Sequence, residues 1–151
     1  MRCPVSSVVL AAVLVLGGRG PAFATSSVTA TNTAGATNLG LDGEGSASTH
    51  IVKVADLSLS TDSSSGFTLS ITSGSLTKAG GTPVPFQVAL VDHNAGAPSS
   101  GAFMVASGSP YLLVTSAAGS LEKDLYIKYT PASLQDPGGY AAVIAVDIVD
   151  N

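Results

Sequence analysis

Residues 134–151 read LQDPGGYAAVIAVDIVDN, a turn followed by a strand of alternating residues. One face of this strand is apolar throughout and carries Tyr140, Ala142, Ile144, Val146 and Ile148. The other face is also apolar, apart from Asp147. A strand with one face in solvent alternates more strictly than this, so we expect the last strand to be covered on both sides.

We expect the outer edge of this last strand to lack a neighbour from later in the sequence, because the strand extends almost to Asn151. An apolar edge without charge or proline is a template for pairing with another strand. Two sources of a partner strand are open: the N-terminal segment could fold back within the same chain, or it could insert into a neighbouring copy. The other interpretation is an ordinary sandwich with its strands permuted. The donor candidate is residues 28–32. The expected pairing residues are Val28, Ala30, Val143, Ile144 and Val146.

The turn before the last strand has the pattern Asp136-x-Gly138-x-Tyr140. This pattern is typical of the corner of an immunoglobulin-like sandwich, in which a buried tyrosine hydroxyl binds the backbone upstream of it. We therefore expect Asp136, Gly138 and Tyr140 to form a structural corner.

Short β patterns separated by glycine, proline and serine fill the chain from Ile51 onward. The clearest is 66–72, where Phe67, Leu69 and Ile71 share one face, and a polar turn after 51–60 predicts a hairpin between these two stretches. Further strands are expected over 84–92, 102–106, 111–115, 121–130 and 140–149. The sequence thus predicts an all-β, immunoglobulin-like antiparallel β-sandwich of about seven to eight strands.

The first residues predict an export signal. Arg2 precedes an apolar run over 8–16 that is too short to span a membrane, and Ala22-Phe23-Ala24 fits the small-x-small cleavage pattern. Residues 1–24 are therefore predicted to be a cleaved signal peptide, 25–49 a flexible segment with a possible donor strand, and 50–151 the sandwich domain. We expect an exported protein at the cell surface or outside the cell, with the periplasm left open, and no membrane segment after signal removal.

The charge of the mature chain excludes some partners. Both arginines lie in the predicted signal, which leaves four lysines against ten acidic residues. A domain this acidic lacks the positively charged surface that binds a phosphate backbone, so we expect no nucleic-acid partner. The single cysteine, Cys3, also lies in the predicted signal. An exported domain without disulfides is more typical of bacteria than of small animal secreted proteins.

The chain from Ile51 onward resembles small bacterial surface β-sandwich proteins of the pilin-like and WxL-like kind. Residues 66–71, GFTLSI, are similar to the Gly-Trp-Thr-Leu-Thr-Val strand of WxL domains, with Phe67 in the place of tryptophan. Gly139-Tyr140 and the strand after it are similar to their closing Gly-Thr-Tyr strand. Chaperone-assisted pilins resemble it in ending without a last strand, although they usually carry a disulfide. The resemblance implies a cell-surface or fibre role and carries no catalytic residue.

Residues that could support chemistry are few. The only histidines, His50 and His93, are expected in solvated loops, and no nucleophile elbow is present, so we predict no catalytic residue and no cofactor. Asp92 and Asn94 alternate in a polar loop and are weak calcium candidates, with a simple polar turn as the other interpretation. Tyr126, on the face opposite Tyr129, is expected at the surface.

These observations favour a non-enzymatic, exported structural subunit that associates with itself or another surface protein through β-strand complementation, as fimbrial proteins do. The alternative is a secreted adhesin-type module that binds carbohydrate or is stabilised by calcium for surface attachment. A binding module of this kind would stay monomeric at high concentration, whereas a subunit would not.

Overall fold

The computed structural model describes residues 10–14, 24–41 and 47–151, and for 10–14 it gives the backbone only. Arg2, Ala22, Phe23 and the glycine-rich stretch 42–45 lie outside the described residues. The strands are β1 (Leu10–Leu14), β2 (Ser26–Asn32), β3 (His50–Thr61), β4 (Phe67–Thr72), β5 (Ser75–Leu76), β6 (Val84–Asp92), β7 (Pro110–Val114), β8 (Gly119–Tyr129) and β9 (Ala142–Asp150). Two short 3-10 helices cover Ala34–Thr37 and Ser100–Ala102.

The described strands form two sheets, and the fold is all-β and sandwich-like, as predicted. The first sheet has the strand order β1-β9-β4-β7, and the second has the order β2-β3-β8-β6-β5. Neighbouring strands run antiparallel except for β1, which pairs with β9 in parallel.

The core lies between the two sheets and is built by the alternation seen in the sequence. In β4, Phe67, Leu69 and Ile71 are buried, whereas the threonine and serine side chains between them are more accessible. The strands of the second sheet show a similar alternation and contribute their buried side chains to the same core. Its buried residues include Leu57, Leu59, Val84, Phe86, Val88, Leu125, Ile127 and Tyr129.

The predicted hairpin between β3 and β4 is wrong. β3 pairs with β2 and β8, whereas β4 pairs with β7 and β9, so the two strands lie in different sheets. The polar turn between them carries the chain across the sandwich, with Gly66 at a φ of 79°. A period-two pattern indicates which face of a strand is buried, but it does not say which strand lies beside it.

Other differences follow from local packing. Residues 102–106 form no strand; instead, Phe103 packs on the outside of the second sheet against Ala89 and Tyr126. Tyr126 is therefore buried rather than at the surface. The described strands number nine because β1 and the two-residue β5 were not expected.

The segment predicted to be flexible, residues 25–49, is packed over the described residues 26–41. Val28, Ala36 and Leu39 belong to the core. The backbone of Thr33 donates to Val54 O at 2.9 Å, and an added Cβ at Gly35 would collide with the backbone of Lys53. Glycine at position 35 therefore permits the close approach of this segment to the backbone of β3. The same glycine-rich composition led to the prediction of a flexible tether.

This segment does not pair with the last strand of its own chain, although Ser26 contacts Asp150 at the end of β9. β2 pairs with β3 over seven positions, with Val28 opposite Leu59 and Ala30 opposite Leu57. The apolar side chains of β2 thus have partners at the edge of the second sheet, which the low hydrophobicity of the segment did not suggest.

Leu69 provides a test of this core, because it is fully buried in the central part of β4. We expect Leu69→Ala to lower the free energy of unfolding by about 3 kcal/mol, through lost burial and the cavity left behind. Leu134→Ala, at a leucine that is 78% exposed, should change it by less than about 0.5 kcal/mol. Urea unfolding of both variants checks this; equal effects would contradict the placement of the core.

Candidate functional site

The edge of β9 that faces away from β4 is the candidate site. β4 covers one edge of β9, pairing Phe67 to Thr72 with Asp150 to Ala145 in antiparallel register. On the other edge, among the described residues, β1 runs parallel to β9, with Leu10 opposite Ala142 and Leu14 opposite Val146. Residues 142–146 on the outer edge of β9 are thus paired with residues that lie in the predicted signal peptide.

The two faces of β9 differ in their surroundings. Ala142, Ile144 and Val146 point into the core and are buried. Val143 and Val149 point outward and are 55% and 58% exposed. The predicted pairing residues Ile144 and Val146 therefore contribute core packing, whereas Val143 is the one whose side chain solvent reaches.

The outward side of the first sheet, which we call the outer face, carries the aliphatic residues Leu112, Val114, Val143 and Val149, with polar residues of β4 and β9 between them. All four side chains are more than half exposed. Thr68 of β4 lies between Val114 on one side and Val149 on the other. Exposed aliphatic residues are ordinary when polar residues separate them, so the part of this face that bears on strand addition is Val143, beside the outer edge of β9.

The corner residues lie in one turn at the entrance to β9. The Tyr140 hydroxyl donates to Asp136 O at 3.1 Å, and the ring is buried. Asp136 Oδ2 accepts from Thr82 N at 2.9 Å, and Gly138 has a φ of 131°. The pKa of Asp136 is lowered, chiefly by this backbone hydrogen bond from Thr82. The hydroxyl thus binds the start of β9 to upstream backbone.

Gln135, which the sequence analysis overlooked, is the second component of this corner. Its Nε2 donates to Tyr140 Oη and to Thr82 O, both at 2.7 Å. Its Oε1 accepts from Ala132 N at 3.1 Å. A single amide thus joins the corner to the loop before β6. The only sequence signal for this role is the position of Gln135 directly before Asp136. Because glutamines are common in turns, that position alone does not indicate a structural role.

The far end of β9 is held by its last two residues. Asp150 Oδ1 accepts hydrogen bonds from the hydroxyls of Ser26 and Thr61, and these two bonds hold the pKa of Asp150 below its usual value. Because Ser26 and Thr61 belong to β2 and β3, the carboxylate links the two sheets. Asn151 Nδ2 donates to Thr115 O at 2.9 Å.

A charged cluster on the outside of the second sheet is the other group of chemical interest. Asp56 and Asp124 are directly opposite each other in the pairing of β3 with β8. Lys53 Nζ lies 2.6 Å from Asp56 Oδ1 and 2.8 Å from Asp124 Oδ2, and His93 Nδ1 lies 2.8 Å from Asp124 Oδ1. Two like charges facing each other destabilise a sheet unless cations separate them, which is what Lys53 does here.

A β-bulge brings Lys53 to this face. In a regular strand, residues 53 and 56 would point to opposite sides of the sheet because their separation is odd. The register between β3 and β8 shifts between Lys53 and Ala55, so one extra residue is inserted there. Val54 turns into the core, and Lys53 and Asp56 come to share the outer side.

Asp56, His93 and Asp124 are the described residues whose ligand atoms are close enough to hold a metal ion, all within 4.8 Å of one another. The Lys53 ammonium already lies between the two carboxylates, so a metal would have to displace it. The calcium candidates are arranged differently. Asp92 forms an ion pair with Lys123, and Asn94 takes a φ of 63° while its backbone N donates to Asp124. This is the geometry of a tight turn.

Neither histidine is a simple solvated loop residue. His93 is part of the charged cluster, and His50 begins β3 with its ring stacked on Tyr129 at 5.2 Å. Tyr129 Oη in turn donates to Gly40 O at 3.0 Å. The contacts of both histidines depend on residues far away in sequence, so a single chain without coordinates could not indicate them.

Comparison with protein-family models and with curated proteins gives no match for this chain. Within the described residues, no helix has the length and apolar character needed to cross a membrane.

The charged cluster predicts a specific pH dependence. Burial of the Asp124 carboxyl raises its pKa, but hydrogen bonds from Lys53, His93 and the Asn94 backbone outweigh this effect and lower the pKa from 3.8 to about 2. A lowered folded-state pKa stabilises the fold above the unfolded value and loses that effect as the pH falls. The contribution of Asp124 is therefore full above about pH 4 and declines toward pH 2.

We expect Asp124→Asn to lower the free energy of unfolding by about 3 kcal/mol at pH 6, because Lys53 loses a buried charged partner. The difference between the variant and the wild type should shrink by more than half when both are unfolded in urea at pH 2.5. Asp92→Asn, at an exposed ion pair, serves as the control and should cost less than about 1 kcal/mol at either pH. A gap for Asp124→Asn that is constant with pH would contradict this account.

Proposed function

We propose that the mature chain is an exported, non-enzymatic structural subunit at the cell surface or outside the cell. It associates with copies of itself or with another surface protein by adding a β-strand to the outer edge of β9. The observation that supports this proposal best is the identity of the strand on that edge: the described occupant, residues 10–14, falls within the predicted signal peptide.

Signal removal would leave the outer edge of residues 142–146 without the partner that it has in the full chain. The backbone groups of a flat, apolar edge strand then face water, which is the arrangement that recruits another strand. Val143 and Val149 on the outer face add apolar area beside that edge. An added strand would thus satisfy the backbone groups of this edge.

An immunoglobulin-like arrangement is part of this proposal. It is supported by the Tyr140 hydroxyl bond to Asp136 O and by a core packed between two sheets. In sandwiches of this kind the last strand is an element whose edge can be completed from outside the chain, which agrees with the proposed role of β9.

The donor from a neighbouring copy remains residues 28–32 in this proposal, but donation has a cost. β2 would first have to leave β3, giving up seven pairs and the burial of Val28. Removal of residues 25–34 from the mature chain separates the possibilities. Assembly that persists after this deletion would indicate a different donor, and assembly that is lost while the monomer stays folded would support exchange of β2.

The association itself is tested with two matched substitutions in the chain 25–151. Val143→Lys adds a charge beside the proposed interface on β9, whereas Val114→Lys adds one at a similarly exposed valine on β7, at the opposite side of the sheet. We expect Val143→Lys to weaken self-association by about tenfold or more, because a lysine on an edge strand opposes pairing. Val114→Lys should leave it nearly unchanged.

Sedimentation velocity over a range of concentrations measures this difference. Equal losses in both variants would indicate contact through the whole outer face rather than through the β9 edge. A wild-type chain that stays monomeric at all concentrations, alone and with other exported proteins, would contradict the proposal and favour an adhesin-type binding module.

A further inference from the structure

β1 is a strand that the sequence analysis does not predict, and its role in the unprocessed chain lies beyond the proposed function. An apolar run over 8–16 predicts a segment that is recognised during export and then removed. In the structure, the middle of this run is instead a strand of the folded sheet, paired over five positions with β9. Residues 10–14 are therefore both part of the predicted export signal and a strand of the folded sheet, and they cannot serve in both at once.

The direction of this pairing carries information about the edge. All other neighbouring strands of the two sheets are antiparallel, and antiparallel neighbours can be joined by short turns. β1 lies parallel to β9, so Leu10 begins opposite Ala142 where β9 itself begins. The outer edge of β9 is thus compatible with a parallel strand over 142–146, in addition to the antiparallel β4 on its other side.

The residues of β9 that pair with β1 are also those least protected against pairing with another strand. Positions 142–146, Ala-Val-Ile-Ala-Val, contain no charged residue, whereas the rest of the strand carries Asp147 and Asp150. Charged residues on an edge strand oppose unwanted pairing. The part of β9 without this protection coincides with the part that β1 pairs with.

From these observations we propose that residues 10–14 act as a built-in cap on the β9 edge. The unprocessed chain keeps residues 142–146 covered by its own N-terminal segment, and removal of that segment opens the edge to an uncharged strand of a second copy, residues 28–32, that runs parallel to β9. This inference rests on the proposed function for what happens after processing, but the cap itself does not depend on it.

Disulfide trapping in the full chain 1–151, produced without export and with Cys3→Ser, tests the cap directly. Ala11 and Val143 are register partners, and neighbouring strands lie about 4.8 Å apart, within the range that a disulfide spans. We expect the Ala11→Cys, Val143→Cys variant to form an intrachain disulfide under mild oxidation. The matched control is Ala11→Cys, Val149→Cys, whose second cysteine lies about 20 Å farther along β9.

Non-reducing gels and mass spectrometry of peptides report the outcome, with thermal unfolding to verify that both variants are folded. A bond between positions 11 and 143, at several times the yield of the control pair, supports the cap. Equal yields, no bond at 11–143, or a bond only between two chains would overturn it.

A second comparison separates this inference from the proposed function. If capping is correct, the full chain should remain monomeric at concentrations where the chain 25–151 associates. Full chain that associates as readily as the chain 25–151 would overturn the cap. A trapped 11–143 bond together with a chain 25–151 that never associates would leave the cap standing and contradict the proposed function alone.

Discussion

The structure depends on the pairing of β9, which has β4 on one edge and, over residues 142–146, β1 on the other. β9 lies between β4 and β1, and its inward side chains complete the core. An unsatisfied backbone group that is kept from water costs as much as a lost hydrogen bond, so a strand in this position cannot be left half paired without consequence. The unusual feature is that one of the two strands paired with β9 comes from residues 10–14.

The two ends of β9 are fixed independently of that pairing. At its entrance the Tyr140 hydroxyl and the Gln135 amide hold the turn. At its exit Asp150 binds hydroxyls of β2 and β3, and thereby links the first sheet to the second. We expect a strand held at both ends to keep its register when the outer neighbour is absent. This rigidity is what a template for strand addition needs, since the incoming segment then pays most of the ordering cost.

The sequence predicted the parts of the fold that depend on local pattern. The period of two at Phe67, Leu69 and Ile71 identified the buried face of β4. For β9 the sequence predicted cover on both faces, which is wrong, because Val143 and Val149 on the outward face are more than half exposed. It could not predict which strands are neighbours, because burial of a face does not specify the adjacent strand. For this reason the sequence pattern predicts a hairpin of β3 and β4, although the two strands lie in different sheets.

The chemistry of the charged cluster was hidden for a related reason. Asp56 and Asp124 are far apart in sequence and become neighbours only through the register of β3 with β8. Lys53 joins them because of a bulge, which has no signal of its own in the residues nearby. Tyr126 shows the same limit, since Phe103 from a distant loop covers it. In the candidate site, the corner residues carried a local motif, whereas Gln135 and β1 did not.

Amide hydrogen exchange of residues 142–146 in the chain 25–151, measured as a function of protein concentration, tests the central claim most directly. The account predicts that the outer-edge amides of this stretch exchange rapidly in the dilute monomer and become protected as the chain associates, while the amides of β4 stay protected throughout. Strong protection of all amides of 142–146 at every concentration, in a monomer that lacks residues 1–24, would contradict it.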